Sequence, residues 1–140
     1  MHSASIVYVF RLRPHEDLKK SIVQFARDNH IKAGIVITCV GSLEQFNLRF
    51  ANRQAGTSQK GHFEIVSAVG TFSDTASHIH VSVANGDGEI IGGHLLEENF
   101  IYTTAEIAVA SLTDLEFDRQ PDSTYGYHEL LVKEKKSVQP

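Results

Sequence analysis

Between Ser77 and Leu96 the chain alternates apolar and polar residues on either side of a short polar break. Ile79, Val81 and Val83 interleave with His78, His80 and Ser82; Asn85-Gly86-Asp87-Gly88 follows, and Ile90 to Leu96 resumes the apolar pattern. Alternation of period two around a glycine-rich turn specifies a β-hairpin. Residues two apart in a strand share a face, so Ile79, Val81 and Val83 point to a core while His78, His80 and Ser82 point away from it. The second arm carries His94.

Whether His94 joins the other two histidines is a question of register. A two-residue turn makes paired residue numbers sum to an odd value, which places His94 opposite a core-facing residue such as Ile79. A three-residue loop with a glycine in the left-handed region, available at Gly88, makes the sum even and brings His94 opposite His78 or His80. A bulge at Gly92-Gly93 would have the same effect. Three imidazoles together suit a divalent metal such as zinc, which takes them at about 2.0–2.1 Å. They are also compatible with plain polar residues on a wet sheet face.

Other segments repeat the strand pattern. Ser5 to Leu12, Ala33 to Val40, Leu43 to Ala51, His62 to Thr71, Phe100 to Leu112 and Tyr125 to Val132 read as strands. Ala33 to Val40 is apolar throughout and is expected to be buried on both faces. Gly41-Ser42 is expected to turn the chain, and Asn52 to Gly61 and Leu115 to Ser123 are expected to be irregular. Glu16 to Asn29 carries Leu18, Ile22, Phe25 and Ala26 at helical spacing, with Glu16 and Asp17 in its first turn. The fold class is therefore α+β: a mixed, mainly antiparallel sheet of about seven strands with one main helix packed on it. The 140 residues read as a single domain with a core over about 5–132 and a frayed tail over 133–140.

Composition excludes several classes. The single Cys39 permits no internal disulfide, and its apolar setting makes it a small buried hydrophobe rather than a nucleophile. No run approaches the roughly 20 apolar residues of a membrane span, and no leader pattern follows Met1, so a cytoplasmic location with no membrane contact is expected. The formal charge of −4 and the scattered basic residues do not make the surface of a direct DNA binder.

Three patches resemble a known family. Gly61-His62-Phe63-Glu64-Ile65-Val66 is similar to the Gly-Arg-Phe-Glu-Ile-Leu hexamer of the plants-and-prokaryotes-conserved (PPC) domain. His78 to Ala84 with Gly88 and Ile91-Gly92-Gly93-His94-Leu95 resembles its hairpin, and Tyr102-Thr103-Thr104-Ala105-Glu106-Ile107 its next segment. The resemblance spans roughly Ser5 to Val132 and implies an α+β fold assembled as a homotrimer. It also implies a DNA-binding or transcription-associated regulatory role through oligomer and protein contacts, with DNA itself as a further partner. In plants the domain follows an Arg-Gly-Arg-Pro element that enters the DNA minor groove. These 140 residues hold no such element, and His62 stands where the plant hexamer has arginine, which argues against direct DNA contact. The fold also resembles a domain of acetolactate decarboxylase, whose metal is held by a His-x-His pair and a later histidine. That likeness points to His78, His80 and His94 as metal ligands. It opens an alternative function: a lyase-like metal-dependent enzyme acting on a small polar substrate. Glu106, Glu97 and Glu64 are candidates for a carboxylate ligand or general base, with Glu106 the first choice as catalytic residue. An enzyme is the less favoured of the two readings. His15, His30 and His128 have no companions at ligand spacing and read as surface residues.

Overall fold

A computed structural model of the chain describes residues 1–135. It is an α+β structure of one helix and eight strands. Six strands form a sheet in the order β1-β6-β2-β3-β4-β5, and every pairing among them is antiparallel. These are β1 (Ser5–Leu12), β2 (Gly34–Arg49), β3 (Thr57–Phe72), β4 (Ser77–Ala84), β5 (Ile90–Leu95) and β6 (Phe100–Leu112). The remaining two, β7 (Leu115–Pro121) and β8 (His128–Glu134), make a separate hairpin.

The helix, α1 (Leu18–Asp28), starts where Asp17 accepts a hydrogen bond from the Lys20 amide. Asp17 is thus the cap rather than a first-turn residue; its carboxylate satisfies an amide that the helix cannot. The helix ends at Asn29, and His30 takes a φ of +54°. Leu18, Ile22 and Ala26 are buried on one face of the sheet. Phe25 stacks on Phe10 at 4.0 Å and meets Tyr8 edge-on at 5.7 Å, tying the helix to β1. Phe46, Phe72, Leu48, Ile79, Val81, Leu95 and Ile101 complete the core on this face.

The expected turn at Gly41-Ser42 is absent. β2 runs through it as one strand of 16 residues, with shifts of register near Gly41 and at Leu43 to Gln45. Bulges bend a strand without ending it. Bent this way, the far end of β2 reaches the opposite sheet edge and pairs Leu48 with Leu95 and Arg49 with His94. Gly41 allows the close approach of β6: a Cβ there would lie 2.0 Å from the Thr104 carbonyl oxygen. Likewise β3 begins at Thr57, inside the segment expected to be a loop.

The segment from Ala33 to Val40 is not buried on both faces. Ile37 and Val40 are more than half exposed, because the helix packs on the opposite face and the β7–β8 hairpin reaches this side only near Thr71 and His78. Leu115 to Pro121, expected to be irregular, is strand β7. Its alternating Leu115, Phe117 and Arg119 turn inward, and its partner β8 lies too far along the chain for local pattern to reveal. Lys133 and Glu134, expected to fray, belong to β8, with Lys133 2.7 Å from Asp118. The rest of the expected tail, 136–140, lies outside the described residues. No helix among the described residues is long and apolar enough to cross a membrane.

Gly70 lies on β3 against β4, where an added Cβ would meet the His78 carbonyl oxygen at 2.1 Å and the Ile79 Cα at 2.6 Å. Both neighbours are backbone and cannot rotate away. Gly70→Ala is therefore expected to destabilise the fold by about 1–3 kcal/mol, measured by urea denaturation; an unchanged midpoint would contradict this packing.

Candidate metal centre

The turn decides the site. Asn85 and Glu89 close the β4–β5 loop through a 3.0 Å backbone bond, and the Gly88 amide donates to the Asn85 carbonyl. Asn85 Oδ1 accepts from the Asp87 and Glu89 amides. Gly88 has a φ of +80°, which glycine adopts without penalty. Gly86-Asp87-Gly88 is thus the three-residue loop that makes the register even: Ala84 faces Ile90 and His80 faces His94. No bulge occurs at Gly92-Gly93, where pairing is continuous. Those glycines serve close approach instead: a Cβ on Gly93 would sit 2.9 Å from the Arg49 carbonyl oxygen.

His78, His80 and His94 come together with one ring nitrogen of each within 4.8 Å of the others. Their ring centroids are 5.0–5.7 Å apart, and the Nε2 atoms of His78 and His80 face each other at 3.2 Å. A tetrahedral ion at zinc–imidazole distances separates its nitrogens by about 3.4 Å. His94 Nδ1 is buried without a hydrogen-bond partner. The donor set therefore fits a divalent cation: three convergent imidazoles, one carrying an orphaned nitrogen. No carboxylate or thiol among the described residues joins the three, which leaves a fourth position open.

Local electrostatics favour the neutral forms of His94 and His78. Burial, then the neighbouring His78, Arg49, Lys19 and His80, push the His94 pKa down to about 4. His78 is lowered by burial, Arg119, His80 and Arg49, against a smaller opposing effect of Glu129. Metal ligands must be deprotonated, so this environment suits coordination. Cys39 is buried and its thiol is pushed up to about 12 by burial, which leaves it inert.

The candidate carboxylates lie elsewhere. Glu106 is exposed on β6, paired with Arg11 and Val40. β2 and β3 stand between it and β4, three strand spacings or about 14 Å. It is not positioned as a base for the triad of its own chain. Glu97 pairs with Lys20 at 3.2 Å, and Glu64 is exposed on β3. The groups that do surround the triad come from β2 and the β7–β8 hairpin: Arg49, Arg119, Tyr127, His128 and Glu129 line a cavity of about 410 Å³ with Ser77, His78 and His94. His128 is an exposed residue outside the triad, as expected, but it borders this cavity. His15 pairs with Glu44, and His62 stacks on Tyr102 at 4.1 Å. Nothing in the sequence placed β8 beside the histidines, because the hairpin docks through long-range bonds such as Arg119 to Thr71.

An α+β sheet with a histidine-lined hairpin edge is the class that fold and site define. The chain belongs to the Plants and Prokaryotes Conserved (PCC) domain family, which matches residues 2–113. It is 39% identical over 134 residues to the bifunctional protein GlmU of Synechococcus sp. (strain JA-3-3Ab), covering 96% of this chain and 22% of that protein. The chain thus spans about a fifth of that curated relative. A hypothetical protein from Salmonella cholerae-suis (Salmonella enterica) has the same fold with a TM-score of 0.95 and 33% identity, over 97% of this chain and 99% of the other. Fold alone is shared with a candidate DNA-binding protein from Bacteroides thetaiotaomicron: TM-score 0.78, 20% identity, 93% and 97% of the two chains. The same holds for a metal-containing protein from Archaeoglobus fulgidus: TM-score 0.74, 24% identity, 90% and 93% coverage.

A depressed histidine pKa has a signed consequence. In the metal-free protein the folded state keeps His94 neutral, while the unfolded chain, at the ordinary value near 6.5, takes up a proton as pH falls. The unfolded state then binds more protons, so stability is full above about pH 6.5 and declines towards about pH 4. Denaturant midpoints measured across this window should fall more steeply for the metal-free wild type than for His94→Asn; parallel profiles would refute the assignment.

Proposed function

We propose that this chain is a metal-holding, transcription-associated regulatory module that works as a homotrimer and through protein partners. The observation that carries this reading is the uncovered face of the six-stranded sheet. Val7, Val9, Ile37, Val40, Val66, Val69 and Tyr102 are exposed, Val9 to 76% and Val69 to 60%. The row from Val7 through Ala110, Ile35 and Thr71 to His78 bounds this surface, its far end held under Arg119 of the β7–β8 hairpin. An apolar surface of this extent on a chain of −4 charge favours protein contact over nucleic acid. Arg11 and Glu106, paired across β1 and β6, add both signs of charge to the same face, which suits a second and third copy of the chain. The family membership and the DNA-binding description of the Bacteroides protein support a transcription-associated role at the level of the fold.

Zinc is the cation we assign to His78, His80 and His94, in keeping with three imidazoles and an open fourth position. The metal-containing protein from Archaeoglobus, which shares the fold, supports a metal at this fold. A bound zinc supplies a Lewis acid. The chain's own residues favour the neutral forms of His78 and His94, hold the three rings together through the β4–β5 pairing, and border the site with Arg49 and Arg119.

A second reading, a lyase-like metal-dependent enzyme on a small polar substrate, is favoured by one observation: His78 and His94 line an open cavity that also holds Arg49, Arg119 and Glu129. Glu129, not Glu106, is then the carboxylate within that cavity.

Two measurements test these readings. Light scattering of the purified chain should give about 46 kDa, three times its 15.5 kDa, and Val40→Glu should shift it to the monomer. A wild-type monomer would defeat the assembly, and tight, salt-sensitive binding of the isolated protein to DNA would replace protein contact with direct DNA contact. Elemental analysis should find zinc in wild type and a loss of it in His80→Ala; equal metal in both would remove the centre.

A further inference from the structure

Two arginines converge on the open side of the triad. Arg49 is the direct cross-strand partner of His94, which in turn faces His80. Arg119 reaches in from β7, with Nη2 donating to Thr71 Oγ1 at 3.0 Å and Nη1 3.4 Å from His78 Nδ1. Both are partly buried, and both line the cavity of about 410 Å³ beside the histidines. Among the described residues neither guanidinium forms an ion pair with a carboxylate. Glu129 is the one acidic residue in the cavity wall. Among the described residues Arg49 has only the Arg53 carbonyl oxygen at 3.4 Å and the Tyr127 ring at 6.0 Å as partners, and Arg119 only Thr71 and His78, so two guanidinium groups on one small cavity leave N–H donors suited to an anion. A guanidinium matches the two oxygens of a carboxylate or phosphate by its paired N–H groups.

The contact with His78 adds an order of events. A guanidinium can only donate, so the 3.4 Å contact suits the tautomer in which His78 Nδ1 accepts and Nε2, the atom facing His80, carries the hydrogen. A cation held at Nε2 would require the tautomer with its hydrogen on Nδ1, which cannot accept from Arg119, so the Arg119 N–H groups would be free for the cavity.

Resting on the metal reading above, we infer that this cavity takes a small ligand bearing an oxyanion, carboxylate or phosphate, held by Arg49 and Arg119 at the position the three histidines leave open. The ligand binds the metal-loaded protein in preference to the metal-free one.

The test uses the full chain loaded with cobalt(II), whose visible bands respond to a change of ligand, titrated separately with oxalate and with inorganic phosphate. At least one anion should shift the bands and bind by calorimetry, and the tighter of the two identifies the source as carboxylate or phosphate. Arg119→Met and Arg49→Met should each weaken that binding by about tenfold or more while cobalt content stays at the wild-type level. Normal cobalt uptake with no response to either anion overturns this inference and leaves the metal centre standing, as does an anion affinity unchanged in the double variant. Failure of the wild type to take up cobalt or zinc overturns both.

Discussion

Every feature of the site depends on the pairing of β4 with β5 in even register. A shift by one residue would turn His94 away from His80 and into the core. The register is held at the turn, where Asn85 binds both the Asp87 and Glu89 amides and Gly88 absorbs the left-handed backbone. It is held again at the outer edge, where β5 pairs with the end of β2. Two separate constraints on a six-residue strand explain how an exposed hairpin keeps three imidazoles in one place.

The second of these constraints comes from β2. Its bulges curl one long strand so that it pairs β6 and β3 along its length and β5 at its end. The same curl brings Arg49 against His94 and gathers Phe46, Leu48 and Leu95 into the core. The helix covers only one face. The other carries an apolar field whose far edge is the histidine cluster, so an assembly on that face and a ligand at the triad would share a continuous row of strand partners.

Much of this was legible in the chain. His78 and His80 on one face follow from alternation, and Gly88 as the residue that could bring in His94 follows from turn geometry. The one helix and the bland role of Cys39 were equally readable. The place of Glu106 was not: a carboxylate for the site could be named from the chain, yet strand order sets this one three strands from β4. The turn expected at Gly41 failed because a glycine in a strand marks close approach as readily as a turn; here Thr104 lies where a side chain would be. The role of β7 and β8 was hidden because their alternation is weak and their partners are distant in sequence.

The sequence by itself determined which residues can share a face, since that depends only on the two-residue period of a strand. It determined the helix, the hairpin and the family patches for the same local reason. Tertiary structure alone decided which faces meet. The closure of β5 on β2, the docking of Arg119 and Glu129 beside the triad, and the absence of any cover over Val9 and Val69 among the described residues all arise from long-range pairing. That pairing is set by the curl of β2 and the order of strands, neither of which a local pattern can encode.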